Sequence, residues 1–242
     1  MFKLAFFTEG QSEQIFIRHM LLTIIGYDRT NIKCYRLQSR TQSFVPYAHS
    51  CPDPYVCCSI FNVGGDEGVL SAIREREKGL FEKGYHMIIG LRDMYSDKYR
   101  RHSSNRIDKS VNRQFINGAQ TTIREMSRPD SIKLYFAIME WEAWILGMYS
   151  LFPKINILLT TEYIHENLNI DLKSIDPQAA YFKPSLYLKE ILALVGLSYS
   201  KSLSDIEGIC SKMGETDFEI AIQGNRCGAF RIFYDQIRLL EN

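Results

Sequence analysis

None of the chain's six cysteines (Cys34, Cys51, Cys57, Cys58, Cys210 and Cys227) forms a Cys-x-x-Cys pair, and its five histidines (His19, His49, His86, His102 and His165) show no zinc spacing. Neither a thiolate cage nor a structural zinc is therefore expected. Also missing is a Gly-x-x-x-x-Gly-Lys-Ser/Thr loop, so ATP hydrolysis on a P-loop is not expected of this chain. An excess of one charge is lacking: 29 Lys plus Arg stand against 28 Asp plus Glu, for a formal charge of +1. Any binding of a polyanion has to come from a local patch. The longest apolar stretch, 132–152, is interrupted by Glu140 and Glu142, and spanning a bilayer would place both carboxylates in hydrocarbon. Residues 1–8 run straight into a glycine-containing turn without the apolar length of a signal peptide. With most cysteines in or near apolar segments, these absences predict reduced thiols in a cytoplasmic protein that does not engage a membrane.

What is present is enough apolar material for a full core: 242 residues, 45% of them hydrophobic. Residues 3–8 form a short apolar run ending at Glu9-Gly10, and 12–25 carry Ile15, Phe16, Met20, Leu21, Ile24 and Ile25 at helical spacing. Residues 32–37 and 55–63 are β-rich, and Gly64-Gly65 separates the second run from an amphipathic helix predicted over 69–83. A buried strand is predicted over 85–91, then a long polar loop from Asp93 to about Lys109, a helix over 111–126 and another strand over 132–139. Strands alternating with helices predict an α/β, Toprim/Rossmann-like, mainly parallel sheet with helices on both faces. From Pro153 the patterns are helical, so residues 1–152 are expected to form the α/β domain and 153–242 a helical extension packed on it.

Three of the predicted strands end in acids: Glu9, Asp93, and Glu140 with Glu142. Ligands of open parallel sheets bind beyond the carboxyl ends of the strands, and hard divalent cations take oxygen ligands, so the coincidence points to Mg²⁺ or Mn²⁺. Glu13 stands where it either joins them or caps the first helix, and Asp93 either ligates or caps its loop. Glu140 and Glu142 share a face only if the chain stays extended through them, because residues two apart diverge by about 200° in a helix.

Glu9-Gly10-Gln11-Ser12-Glu13 between strand and helix resembles the Glu-Gly-x-x-Glu opening of Toprim domains, and Asp93 stands in the place of their acidic motif. Glu140-Trp141-Glu142-Ala143-Trp144 is similar to a signature of an uncharacterised bacterial Toprim-like family related to overcoming-lysogenization-defect nucleases. Tyr199-Ser200-Lys201, followed by Phe230, Phe233 and Tyr234, is similar to that family's C-terminal segment. The resemblance implies a metal-dependent nuclease, in some relatives beside a separate ATPase in phage defence. It implies Glu9 and Asp93 as metal ligands, Glu142 as a further ligand, Glu13 and Glu140 in support, and Lys201 against transition-state charge. The usual Asp-x-Asp is altered: Met94 and Tyr95 follow Asp93, so Asp97, Glu140 or Glu142 is left to supply the missing oxygen.

Beside Asp93 the predicted loop holds Lys98, Tyr99, Arg100, Arg101, His102 and Arg106, a basic patch suited to a DNA or RNA backbone. Two other readings remain open at this level: a non-catalytic Toprim-like module that binds nucleic acid or a protein, and another Mg²⁺-dependent phosphotransfer enzyme.

Overall fold

In the computed structural model, which describes residues 1–38, 41–65 and 68–241, the apolar runs become strands and the stretches of helical period become helices. The order is β1 (Phe2–Thr8), α1 (Gln11–Ile24), β2 (Thr30–Gln38), β3 (Thr41–Phe44), β4 (Val56–Asn62), α2 (Gly68–Glu82), β5 (Met87–Asp93), α3 (Asp97–Ser103), α4 (Lys109–Arg124) and β6 (Ile132–Ala137). There follow α5 (Glu142–Gly147), α6 (Phe152–Ile155), α7 (Thr161–Leu168), α8 (Pro177–Ala180), α9 (Pro184–Ala193), α10 (Leu203–Cys210), α11 (Glu215–Ile222) and α12 (Gly228–Arg238).

The strands form one six-stranded sheet in the order β3-β2-β4-β1-β5-β6. Pairing is parallel between β1 and β4, β1 and β5, and β2 and β4; β3 runs antiparallel to β2. The protein is thus α/β with a mainly parallel sheet, helices on both faces and a helical C-terminal part, as the alternation predicts. β3, all of it exposed, has no counterpart in that reading, because an edge strand need not carry an apolar pattern.

Two compact units divide the chain, and the division follows strand ends rather than the composition shift near residue 152. One unit holds 1–92, 110–136 and 237–242; the other holds 93–109 and 137–236.

In the sheet unit, register places Phe7, Phe61 and Tyr35 side by side on one face. Their rings stack at 4.9 and 5.1 Å between centroids, and Val69, Ile73, Leu80 and Phe81 of α2 close over them with Ile123 of α4. The opposite face carries Phe6, Ile60 and Cys34 in one row beneath α1. Gln14, buried in α1, donates from Nε2 to the carbonyls of Tyr35 (3.0 Å) and Ile60 (2.8 Å), so the helix is fastened to two strands without an unsatisfied amide nitrogen. Gly90 in β5 is a packing glycine: a Cβ there would lie 2.5 Å from Leu134 Cδ1, 2.9 Å from Ile73 Cδ1 and 3.1 Å from Val69 Cγ1. Gly90→Val is expected to destabilise by roughly 2–3 kcal/mol through overpacking, measured by urea unfolding; an unchanged midpoint would contradict this packing.

In the second unit α5 is the centre, packed against α8, α9 and α11, with Ala143, Trp144, Ile145 and Leu146 fully buried. Trp144 lies over Phe230 (4.9 Å) and Phe233 (5.6 Å), which explains the aromatic content of α12. The polar stretch after Asp93 is not a plain loop, since it folds into α3. Ser96 caps that helix by accepting the Tyr99 N–H at 3.1 Å, and the buried Tyr99 hydroxyl bonds both the N–H (2.9 Å) and the carbonyl (3.3 Å) of Asp108. All six cysteines carry free thiols, and burial pushes Cys34 and Cys227 up to about 12. Among the described residues no helix is long and apolar enough to cross a membrane.

Candidate functional site

The predicted site residues fall into both units. Glu9 follows β1 in the sheet unit, where its carbonyl accepts the N–H groups of Gly64 (3.1 Å) and Gly65 (3.0 Å). Glu13 takes the capping role: its Oε2 accepts the Gly10 N–H at 2.9 Å in the first turn of α1. Asp93, Glu140, Glu142 and Lys201 belong to the second unit, and there the structure brings them together.

The turn between β6 and α5 does this. β6 ends at Ala137, earlier than the predicted 139, because Met139 is left-handed (φ +65°). The turn is held by Met94 N–H to the Ala137 carbonyl and Tyr95 N–H to the Met139 carbonyl, each at 2.8 Å. The chain therefore does not stay extended through Glu142. Trp141 is already right-handed helical and Glu142 opens α5. Both carboxylates nevertheless reach the same cation: Lys201 Nζ lies 2.8 Å from Glu142 Oε1 and 3.5 Å from Glu140 Oε1. Lys201 is itself left-handed (φ +59°). A left-handed non-glycine residue costs on the order of 1–2 kcal/mol, so strain is placed in both segments that meet here.

Around this pair the remaining acceptors are tied down by the backbone. Asp93 Oδ1 takes the Trp141 N–H at 3.0 Å and Glu140 Oε2 takes the Ser185 N–H at 2.9 Å. The Tyr199 hydroxyl donates to Glu142 Oε1 at 2.8 Å. That leaves Glu142 Oε2, inside a fully buried side chain, with no hydrogen-bond partner among the described residues. A second buried carboxylate of the same unit shows that this is not the local habit. Asp217, also fully buried, uses both oxygens: Oδ1 accepts from Ser150 (2.5 Å), and Oδ2 accepts from Lys154 (2.6 Å) and the Gly214 N–H (2.7 Å).

The electrostatics follow from burial and crowding. Burial raises the Glu142 carboxyl above its ordinary range; Lys201 pulls it back and Glu140 pushes it further up. Burial opposes charge on Lys201, but Glu142, Glu140 and Asp93 outweigh it and hold the ammonium above its usual value. The lysine is charged, and Glu142 is the group of the cluster poised to take a proton or a cation.

Asp97 is exposed in the first turn of α3 and pairs with Arg100 at 3.2 Å, and among the described residues no hydrogen bond or ion pair joins it to the cluster. The second position of the altered acidic motif is filled by an aromatic contact, Tyr95 edge-on to Phe182 at 5.5 Å. On α3, Tyr99 and Ser103 face inward four residues apart, so Lys98, Arg100 and Arg101 are exposed, as is Arg106 in the turn beyond. Ser185, which holds Glu140, carries no signal that sequence reasoning could use, because it acts through its backbone N–H.

Three carboxylates against one ammonium, with one buried oxygen unbonded, is donor chemistry that suits a hard cation. As folded here, Lys201 fills the cationic place, and among the described residues no group of three or more His, Cys, Asp or Glu side chains is placed to hold a metal ion. No family model, curated protein or solved structure matches the chain.

Proposed function

We propose that this chain is a Toprim-like, Mg²⁺- or Mn²⁺-dependent phosphodiesterase acting on nucleic acid, with Asp93, Glu140 and Glu142 as its acidic centre. The observation that supports it is the unbonded Glu142 Oε2 within a buried cluster whose negative charge exceeds that of Lys201. A buried acceptor left without a hydrogen bond costs about 1–3 kcal/mol, so such a cluster gains by taking up a proton or a divalent cation there. Bound there, the cation would activate water and stabilise charge on phosphoryl oxygens. The chain's own groups prepare the place: the Trp141 and Ser185 N–H groups orient Asp93 and Glu140, Tyr199 orients Glu142, and Lys201 keeps a fixed positive charge beside them. The exposed Lys98, Arg100, Arg101 and Arg106 supply phosphate-neutralising charge within the same unit. A separate ATPase partner and a setting in phage defence rest on the resemblance alone.

One observation favours the non-catalytic alternative, a module that binds nucleic acid or protein: Lys201 already serves as the cluster's cation. Cleavage of single- and double-stranded DNA and RNA, with Mg²⁺ or Mn²⁺ and with Asp93→Asn and Glu142→Gln beside the wild type, separates the two. The phosphodiesterase reading expects metal-dependent cutting that falls by about 100-fold or more in both folded variants. No cutting with either metal, on any of these substrates, sinks it in favour of the module. Products that form only when nucleotides are added would indicate transfer rather than hydrolysis.

A further inference from the structure

The sheet unit contains a second place built for a ligand. On the α1 face the register that aligns Phe6, Ile60 and Cys34 continues two residues on to Thr8, Asn62 and Arg36, so the row turns polar at the carboxyl ends of three neighbouring parallel strands. From β1 the chain departs through α1 toward β2, and from β4 it departs through α2 toward β5. Connections that leave adjacent strands in opposite directions open a crevice at the strand ends, where α/β proteins bind ligands. Such a crevice is present, about 380 Å³ in volume, and its walls include Glu9, Gln11, Arg36, Tyr47, Asn62 and Gly64.

Its walls are fixed in place. Gly64, left-handed at φ +75°, donates its N–H to Asn62 Oδ1 at 2.9 Å, a turn that a side chain would strain. Gln11 Nε2 donates to the Tyr47 hydroxyl, and the Tyr47 carbonyl is held by Arg18 Nε at 2.8 Å. By contrast, the Arg36 guanidinium, exposed at the rim, makes no ion pair or hydrogen bond among the described residues. A planar guanidinium left open beside a polar crevice matches a phosphate or carboxylate in bidentate fashion. Among the other wall residues Glu9 brings a carboxylate, Asn62 an amide and Tyr47 a phenol ring. The volume lies at the small end of the range for ligand pockets, enough for one nucleotide and too small for two.

The geometry points to a binding site for one nucleoside monophosphate unit, its phosphate on Arg36 and its sugar or base against Glu9, Asn62 and Tyr47. The unit has two sources, a free nucleotide or the phosphorylated end of a strand. This inference stands on the sheet unit alone, so failure of the cleavage assay would leave it intact. Titration calorimetry with AMP, GMP, CMP, UMP, ribose 5-phosphate and inorganic phosphate, and with short oligonucleotides bearing 5′-phosphate or 5′-hydroxyl, tests it. At least one nucleotide is expected to bind more tightly than inorganic phosphate, and Arg36→Met to weaken it by about 10- to 100-fold at an unchanged melting temperature. Should Arg36→Met fail to fold, Arg36→Lys is expected to show a smaller loss in the same direction. A 5′-phosphorylated oligonucleotide that outcompetes every free nucleotide identifies the strand end as the source, and the reverse identifies the free nucleotide. Equal binding of inorganic phosphate and nucleotide, no binding at millimolar concentration, or full binding by the folded Arg36 variants would overturn the assignment.

Discussion

Replacing Lys201 by methionine will lower stability by roughly 2–3 kcal/mol near pH 8 and by much less near pH 5. Removing one partner of a buried ion pair costs about 3–5 kcal/mol, and the lower figure here allows for the lysine side chain being 40% exposed while Glu142 is fully buried. The pH dependence has a definite sign. Glu142 is raised in the folded protein, so between the ordinary carboxylate value of about 4.3 and its folded value the native state holds more protons than the unfolded state. Stability therefore falls as pH rises through that window. Without Lys201, the largest influence holding Glu142 down is gone and Glu140 remains beside it, so the window widens upward and the difference from wild type grows with pH. Urea unfolding of both proteins at several pH values measures this. Glu142→Gln in the Lys201→Met background should recover most of the loss. A penalty independent of pH would mean that Glu142 is already neutral at all of them, and the electrostatic account of the cluster would be wrong.

The second large effect is expected at Arg226, which lies outside the candidate site. Its buried guanidinium donates to four carbonyls: Leu172 (2.6 Å), Lys173 (2.7 Å), Gly147 (3.0 Å) and Ile220 (3.2 Å). It also lies over the Tyr149 ring at 5.1 Å. One side chain thus ties α5 and α11 to the segment after α7. Arg226→Met would leave those carbonyls without this donor, each orphan costing about 1–3 kcal/mol, for an expected total of roughly 3–5 kcal/mol. Arg226→Lys should recover little, since an ammonium on a single stem cannot reproduce the planar fork. Urea unfolding gives the magnitude, and hydrogen exchange gives the place: protection should fall first in α11. A loss below about 1 kcal/mol would show that water takes over the carbonyls.

Much of the architecture is written locally. Strands and helices of the first 137 residues are legible because their apolar periods, about two residues or 3.6, are set by neighbours in the chain. The acids at strand ends are legible for the same reason, since a carboxylate following an apolar run is visible in one line of sequence. What misleads is the same locality. The stretch after Asp93 is polar and reads as loop, yet Tyr99 and Ser103, four apart, suffice to seat α3 once something lies beneath them. Glu13, a supporting acid by motif, spends one oxygen on the Gly10 N–H. Asp97, the motif's nearest substitute acid, faces solvent.

By itself the sequence determined the α/β class, the parallel sheet and which residue types stand at the strand ends, because those depend on patterns a few residues long. Only the tertiary structure decided that Glu140 and Glu142 share a cation across a turn rather than along an extended strand. It alone matched Glu142 with Tyr199, 57 positions away, and Arg226 with Leu172, 54 positions away. It also revealed the crevice lined by Glu9, Arg36 and Asn62, three residues from three segments that carry no shared motif. The physical reason is that burial fixes these choices. A charge inside the protein is tolerable only beside its partner, and which partner is in reach is set by how the elements pack, a property no short stretch of chain contains.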